Sequence, residues 1–250
     1  MVKQTLTEGQ RRSSLMRGKA AFAENNGQRT FRVMDLPEKV AKDKHMTDAP
    51  PLTRIQARNR AAILSGGLDV FSTAGFRGAT LDQIADAAGL SKPNLLYYFA
   101  SKDAIYTALL ERLLETWLDP LHALDPHGDP MAEVLSYIGR KLDMSRDYPR
   151  ESRLFANEIL QGAPHLGAVL QGPLRRLVAE KGAVLQHWMD CGHLRAVDPQ
   201  HLLFSIWALT QHYADFDVQI RAVLGHDDAI AQAGPFLDRI YRAMLEPDAS

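Results

Sequence analysis

An all-α fold is predicted for this chain from residue 53 onwards, and three observations predict it. Apolar residues recur at helical spacing, strand-like alternation never runs for more than a few residues, and Pro or Gly stands at most joints between helical segments. The chain has 250 residues, of which 46% are hydrophobic, so it is long enough to bury a full core. We expect one or two domains built only from helices.

The individual helices are predicted from their start and stop signals. The first fits residues 53–74, ahead of Gly75, and a long helix fits residues 102–124, between the N-cap Ser101 and Pro126. The same signals predict the later helices at residues 130–147, 149–161, 173–190, 199–224 and 227–245.

Residues 1–51 are expected to be a mostly disordered N-terminal extension. The segment is polar, has no sustained period and ends in DAPP, which no helix would cross. Met46 is an alternative start of the chain, so the extension is left out of the fold prediction.

The net charge of −1 hides an asymmetry along the chain. Residues 1–46 carry ten Lys and Arg against five Asp and Glu, residues 53–102 carry six against three, and residues 103–250 carry thirteen against twenty-one. A mildly basic head is therefore joined to an acidic body. So small an excess can arise by chance, and it indicates a nucleic-acid surface only where a motif coincides with it.

Several classes of protein are not favoured by the composition. No apolar run approaches the ~18 residues needed to cross a bilayer, and no secretion signal is recognisable, so we expect a cytoplasmic protein without a membrane partner. Cys191 is the single cysteine and cannot form an internal disulfide. No CxxC pair is present to hold zinc or to exchange thiols, and neither a metal nor a cofactor is expected.

The stretch TLDQIADAAGLSKPNLLYYFASK, residues 80–102, carries the strongest local pattern. Counted from its second residue, Ala85 stands at the fifth place and Gly89 at the ninth. A steep helix crossing requires a side chain no larger than Ala at the contact, and a tight turn requires a residue that tolerates positive φ. With Thr80 and Ser91 as N-caps, the stretch is a predicted helix-turn-helix. The alternative is a helical hairpin within a bundle, which can mimic this spacing.

The second helix of this motif, residues 92–99, exposes polar and aromatic residues suited to DNA. Its capped N-terminus offers N–H groups and charge to a phosphate, and an Asn can pair with a base edge. Proline offers an apolar surface to a thymine methyl group, and tyrosine hydroxyls can donate to phosphate oxygens. The predicted contacts with double-stranded DNA are Thr80, Ser91, Lys92, Pro93, Asn94, Tyr97, Tyr98 and, as a cation at the flank, Lys102.

The stretch GLSKPNLLYYFASKDAIY, between the first helix and a long one, resembles the DNA-binding head of the tetracycline-repressor (TetR) family of bacterial regulators. ETWLDPL, SRDYPRESRLFANEILQGAP and DPQHLLFSIWALTQHYADF are similar to the ligand domain of its pyrimidine-utilisation regulators, so the resemblance covers residues 52–246. The family's common Tyr-x-His-Phe ending appears here as Leu96-Tyr97-Tyr98-Phe99, and Pro93 stands where residues vary widely. These departures leave the operator sequence open.

The resemblance implies a three-helix helix-turn-helix head, residues 52–101, and a larger ligand-binding and dimerisation domain, residues 102–250. It also implies a homodimer whose two recognition helices enter successive major grooves of a palindromic operator. A dimer of this kind buries an apolar face built from the last two long helices. One stripe on the last helix suits that face, although it could equally pack within its own subunit: Ile230, Ala233, Leu237, Ile240 and Met244.

Polar residues interrupt the apolar stretch LFSIWALTQHYADF. Trp207 and Gln211 are four apart and share one helix face, whereas His212 and Asp215 form a second column about 100° away. The residues alone favour a core tryptophan with a satisfied amide at the first face. A planar cyclic amide such as uracil also matches, because Gln offers a donor beside an acceptor and an indole can stack on the ring.

The resemblance turns this first face into a predicted effector site, formed by Trp117, Trp207 and Gln211. Trp117 lies fifteen residues beyond Lys102 on the predicted long helix, about 22 Å at 1.5 Å per residue. An effector that moves Trp117 could therefore tilt this helix and change the spacing of the two recognition helices. The second face, His212 and Asp215, is expected to be a structural hydrogen-bonded pair.

Three functions from different classes follow from these features. The first is a ligand-responsive repressor released from DNA by a pyrimidine such as uracil or thymine. The second is a TetR-type sensor of a different small molecule, either a drug or another metabolite. The third, which the sequence favours least, is a helical hydrolase or metal protein using His212 and Asp215, although no nucleophile in a strained turn and no second His-carboxylate set accompanies that pair.

Overall fold

The computed structural model describes residues 53–225 and 229–247, and the predicted N-terminal extension lies outside these ranges. Every regular element of this described part is helical, which confirms the all-α prediction. A π-helical turn, Leu170–Leu174, leads from the short α7 into α8. In chain order the helices are α1 (Arg54–Gly78), α2 (Leu81–Ala87), α3 (Lys92–Tyr98), α4 (Lys102–His122), α5 (Pro130–Asp147), α6 (Pro149–Leu160), α7 (Gly167–Val169), α8 (Arg175–Asp190), α9 (Pro199–Asp215), α10 (Asp217–Leu224) and α11 (Ala229–Leu245).

The head is built from α1, α2, α3 and the beginning of α4 around one apolar cluster. Its central side chains are almost completely inaccessible, and burying each contributes roughly 1.5–3 kcal/mol. They are Ile63, Leu68, Phe71, Ile84, Leu95 and Ile105. The cluster continues to Trp117 on α4 and Leu154 on α6, so the head shares its core with the beginning of the body. The division at residues 101 and 102 therefore stays a prediction.

The body is a bundle in which α5 packs against both α9 and α11, and α8 packs against α9. A second apolar cluster fills it, with Tyr137, Leu185, Leu203 and Tyr241 each at most 1% exposed. Helix α6 contacts both α1 and α9 and so joins the head to the body. Within the described ranges, no helix is long and apolar enough to span a membrane.

The helix predicted over residues 199–224 is in fact two helices, α9 and α10, separated at Phe216. Helix α6 explains the break, because it supplies hydrogen bonds where α9 ends. Arg153 donates from Nη1 to the carbonyl of Ala214 (3.2 Å), and Ser152 donates from Oγ to Asp215 Oδ1 (2.6 Å). These bonds occupy a carbonyl and a side chain at the last turn of α9, and the chain changes direction at Phe216.

Candidate functional site

The residues predicted as a helix-turn-helix form two capped helices joined by a tight turn. The N–H of Gln83 donates to Thr80 Oγ1 (3.3 Å), and Gln83 Oε1 accepts from the N–H of Thr80 (2.9 Å), which completes a capping box at the beginning of α2. Ser91 accepts from the N–H of Asn94 at the beginning of α3 (3.4 Å). Gly89 has a φ of +66° in the turn, a conformation that L side chains rarely adopt.

Gly66 on α1 brings that helix against the same turn, and the sequence reasoning missed it. A Cβ at this position would lie 2.9 Å from the backbone nitrogen of Ala88 and 3.1 Å from the carbonyl oxygen of Ile84. Backbone atoms cannot move aside as a flexible side chain can, so only glycine fits here. Gly66 lies one turn after Ile63 on the buried face of α1, and a small residue on such a face is the signal that could have found it.

The exposed side of α3 carries the residues predicted to contact DNA. Pro93 is exposed, Asn94 is half-buried, and the Tyr97 side chain is 71% exposed. Both tyrosine hydroxyls accept hydrogen bonds from amides of α1: Gln56 Nε2 donates to Tyr97 Oη (3.4 Å), and Asn59 Nδ2 donates to Tyr98 Oη (3.0 Å). Since each oxygen acts as an acceptor in these bonds, its own O–H remains available to donate to a phosphate.

Lys92 lies at the N-terminus of α3 as predicted, but its ammonium forms an ion pair within the motif. Lys92 Nζ is 2.9 Å from Asp82 Oδ2 on α2, and both side chains are largely exposed. Exposed pairs of this kind are worth about 0–1 kcal/mol, so a phosphate oxygen can compete for the lysine.

Lys102 does not stand as a free cation at the flank of the motif. Its Nζ donates to the carbonyl oxygens of Phe76 (2.7 Å) and Ala79 (2.8 Å), and it lies 4.6 Å from the centre of the Phe76 ring. These carbonyls belong to the end of α1 and the link into α2, where helical partners are missing. The structure therefore gives Lys102 a structural position between α4 and the head, and a phosphate contact by it stays a prediction.

The residues predicted to bind an effector lie on α4 and α9, and α5 connects them. Trp117 on α4 is 5% exposed, and its ring centre is 6.3 Å from that of Tyr148 and 5.8 Å from Lys141 Nζ on α5. On α9, Trp207 Nε1 donates to Tyr137 Oη, also on α5, at 2.7 Å. Trp117 and Trp207 belong to different apolar clusters, so α5 rather than a direct ring contact brings their surroundings together.

Gln211 lies one turn beyond Trp207 on α9 and is half-buried. Its amide makes no hydrogen bond to any residue in the described part of the chain. The amide atoms are not fully buried, so water can reach them, and a ligand that binds here can take the place of that water. The fully buried amide with a protein partner, which the residues alone favoured, is therefore not what the structure shows.

Lys141 is the residue of this region that the sequence reasoning missed. It is 3% exposed, and burial lowers its pKa to about 7, an effect that the negative charge of Asp215 partly opposes. In the sequence it stands in GRKLD, which resembles a solvated helix face. The signal lies in the helical period, because Tyr137, Lys141 and Ser145 are four apart and all three side chains are buried.

Asp215 pairs with Ser152 rather than with His212, which corrects the expected partner. The bond from Ser152 Oγ to Asp215 Oδ1 is 2.6 Å long, and burial raises the pKa of this carboxyl. His212 is exposed and stacks on Phe216, with ring centres 4.8 Å apart. Within residues 53–225 and 229–247, no group of three or more His, Cys, Asp or Glu side chains is placed to hold a metal.

The apolar stripe on α11 packs against the core of its own subunit. This is the alternative to the dimer face that the sequence left open. Ala233 and Leu237 are each 1% exposed, and Ile230, Ile240 and Met244 pack partly buried against the same core. Apolar surface remains elsewhere on the two long helices, at Phe204 of α9 (48% exposed) and Phe236 of α11 (54% exposed).

Comparison with known proteins places this arrangement in a family. Residues 63–109 match the family model described as bacterial regulatory proteins, tetR family, and residues 110–248 match the model described as the C-terminal region of YcdC-like protein. The chain belongs to the TetR family. It is also 51% identical over 173 residues to the HTH-type transcriptional regulator RutR of Escherichia coli K12, a match covering 69% of this chain and 82% of that protein.

Other TetR-like proteins are more distant. The chain is 27% identical over 145 residues to the HTH-type transcriptional repressor NicS of Pseudomonas putida, covering 56% of this chain and 66% of that protein. A TetR-like regulator from a Rhodococcus species has a TM-score of 0.58 at 23% identity, covering 77% of this chain and 98% of that one. AibR, solved with isovaleryl coenzyme A and operator DNA, has a TM-score of 0.58 at 16% identity, with coverages of 76% and 99%. These structural likenesses show the fold.

The chain is therefore a helix-turn-helix transcriptional regulator, similar to RutR, that binds operator DNA as a dimer and responds to a small-molecule effector. Its relatives in these comparisons are transcriptional regulators rather than enzymes.

Proposed function

We propose that this TetR-family regulator is a repressor that binds a palindromic operator and is released by a pyrimidine such as uracil or thymine. The observation that carries the proposal is the Gln211 amide, which is half-buried on the same face of α9 as Trp207 and has no hydrogen-bond partner among residues 53–225 and 229–247. The 51% identity to RutR supports the same assignment, because the notable resemblance of the ligand domain is to pyrimidine-utilisation regulators.

The chemistry of the site suits a flat ring imide. Gln211 offers one donor and one acceptor side by side, and uracil presents a carbonyl beside an N–H. The indoles of Trp117 and Trp207 can offer apolar faces to the ring. A ligand without a matching donor and acceptor would leave the amide unpaired, and such mismatches are strongly discriminated against.

On the DNA side, the proposal assigns α3 to the major groove. Asn94 reads a base edge, Pro93 contacts a thymine methyl group, and Lys92 leaves Asp82 to contact a phosphate. Ser91 and Thr80 present capped helix N-termini to the backbone, and the hydroxyls of α3 donate to phosphate oxygens.

Helix α4 connects the effector site to the operator site in this proposal. Trp117 is fifteen residues from Lys102, about 22 Å along the helix. Lys102 holds the carbonyls of Phe76 and Ala79, immediately ahead of the α2 cap Thr80, so a tilt of α4 is passed directly to the head. An effector that prefers the tilted state ~100-fold contributes about 2.7 kcal/mol per site to release.

The dimer face and the cellular setting complete the proposal. We assign the face to the exposed aromatic residues Phe204 and Phe236, because Ser205 Oγ is 3.0 Å from Tyr241 Oη and the two helices that carry them are adjacent there. We also propose that the protein works in the cytoplasm and is not an enzyme, in keeping with its regulatory relatives.

The test is a DNA-release assay with an operator selected from a random DNA pool by the protein itself. Uracil and thymine are expected to release the DNA and to raise the unfolding midpoint, whereas purines are not. Trp117→Ala and Gln211→Ala should remove the response, and Gln186→Ala, on the exposed face of α8, is the matched control.

Two results would count against this assignment. If both variants kept the wild-type response, the effector would bind elsewhere. If only drug-like compounds raised the unfolding midpoint, the chain would be a sensor of a different ligand, which is the second function that its family membership allows.

A further inference from the structure

Lys141 presents a buried ammonium group beside the proposed effector site. We propose that Lys141 binds an oxygen of the effector ring and makes the site selective for ring imides that readily give up their N–H proton. This inference rests on the proposed function, because it specifies which members of the pyrimidine class the site prefers.

The position of Lys141 follows from its neighbours on α5. One turn before it, Tyr137 accepts the hydrogen bond from Trp207, and one turn after it, Ser145 Oγ donates to the carbonyl of Thr210 on α9 (3.0 Å). Lys141 therefore lies on the face of α5 that packs against α9, between the levels of Trp207 and Thr210. Its Nζ is also 5.8 Å from the ring centre of Trp117.

The ammonium of Lys141 has no hydrogen bond and no ion pair within the described residues. The other buried lysine of the bundle shows the usual arrangement: Lys181 Nζ donates to the carbonyl of Leu124 (3.2 Å) and lies 3.7 Å from Glu180 Oε1. A buried amine that lacks such partners is expensive for the fold, because desolvation disfavours its charge. A ligand oxygen would supply the missing partner.

The charged groups around Lys141 do not neutralise it. Across the interface on α9, Asp215 accepts from Ser152, and its negative charge acts on Arg153 and His212 as well as on Lys141. On α5 itself, Arg140 adds a second cation, and its buried Nε has no hydrogen-bond partner in the described part of the chain either. Helix α4 contributes the uncharged ring of Trp117. The local excess of positive charge therefore favours a ligand oxygen that carries negative charge.

An imide that loses its ring proton spreads the resulting negative charge over the adjacent carbonyl oxygens. In its charged form, Lys141 can donate hydrogen bonds from Nζ to such an oxygen and so stabilise the anion. The ring proton passes to water, and the bound pair consists of an ammonium and a charged oxygen. A more acidic ring loses its proton at lower cost, so a larger share of the bound ligand is the anion that pairs with Lys141.

The experiment compares uracil with 5-fluorouracil by titration calorimetry on the full-length protein. Fluorine is close to hydrogen in size and makes the ring N–H more acidic, so the pair varies acidity with little change of shape. We expect wild-type protein to bind 5-fluorouracil about tenfold more tightly, a change in Kd that calorimetry measures directly. In Lys141→Met the preference should fall below about twofold, and Lys181→Met is the matched control that should keep it.

The outcomes separate this inference from the proposed function. Equal affinity of wild-type protein for both rings, or a preference that survives in Lys141→Met, would overturn the selectivity while leaving a pyrimidine effector in place. If wild-type protein bound neither ring, the pyrimidine assignment would be wrong and the selectivity would fall with it. Thermal unfolding checks the fold, because Lys141→Met is expected to unfold at a higher temperature than the wild type.

Discussion

Replacing Lys141 with Met should stabilise the unliganded protein, and the gain should shrink as the pH rises. Methionine has a similar length and keeps an apolar contact beside Trp117, while the desolvated amine disappears. The reason is the difference between the two states of the chain: the pKa of Lys141 is near its ordinary value of 10.5 after unfolding and about 7 in the folded protein.

The size and the sign of the effect follow from this difference. A lysine with a depressed folded pKa destabilises the fold fully below its folded pKa, and the penalty disappears as the pH approaches the unfolded pKa. At about 1.4 kcal/mol per pKa unit, the penalty is ~4 kcal/mol near pH 7 and ~2 kcal/mol near pH 9. Relaxation around the buried amine reduces both values, so they are upper limits.

Urea unfolding of the wild type and of Lys141→Met at both pH values measures this penalty. Other groups titrate in this range, but they are common to both proteins and cancel in the difference between them. We expect the variant to be more stable by ~2–4 kcal/mol near pH 7, with an advantage about 2 kcal/mol smaller near pH 9. An advantage that did not change with pH would refute the reasoning, since the amine would then not be desolvated in the folded protein.

Three further predictions concern the DNA-binding head and the dimer. Lys102→Met should lower stability by about 1–3 kcal/mol and weaken operator binding without changing its salt dependence, whereas a salt slope reduced by about one would place Lys102 on a phosphate. Asp82→Asn should release Lys92 and strengthen operator binding at low salt in a gel-shift titration, and unchanged affinity would show that the ion pair does not restrain it. Phe236→Asp should raise the dimer dissociation constant at least tenfold in sedimentation velocity, while Leu160→Asp, at the exposed last residue of α6, should not.

The helix-turn-helix could be predicted because all of its determinants are local. Its caps, its small contact residue and its turn glycine lie within residues 80–102, and each acts on atoms only a few positions away. The structure reproduces both predicted caps, Thr80 and Ser91. The contact between Gly66 and the turn was harder to predict, because Gly66 precedes the motif and its importance comes from the backbone of another helix.

The end of α9 shows why part of the body could not be predicted. No Pro or Gly interrupts residues 199–224, so local signals continue the helix past Phe216. The bonds that end it come from Ser152 and Arg153, more than sixty positions earlier in the chain. The stripe on α11 is a comparable case, because an apolar face has the same periodicity whether it packs on its own core or on a second copy.

The proposed effector site was only half predictable for a related reason. Aromatic and amide residues stand out in an apolar helix, so spacing placed Trp207 and Gln211 on one face, and the family resemblance made that face a predicted effector site. Lys141 could not, because lysine is normally exposed and its neighbours in the sequence are charged. Only the packing of α5 against α4 and α9 shows that Lys141, among these neighbouring charged residues, is buried.

Stability and recognition act in opposite directions at Lys141. A methionine there would make a better core, since it needs no partner and carries no charge to desolvate. The lysine lowers the stability of the unliganded fold. An oxygen of the bound effector offsets part of this loss because it gives the ammonium a partner. Effector binding is then linked to the stability of the contacts that α5 makes with α4. Helix α4 is in turn linked to the head, because its residue Lys102 donates a hydrogen bond to Phe76. The same unpaired group that weakens the unliganded bundle is thus placed to make its packing respond to the effector.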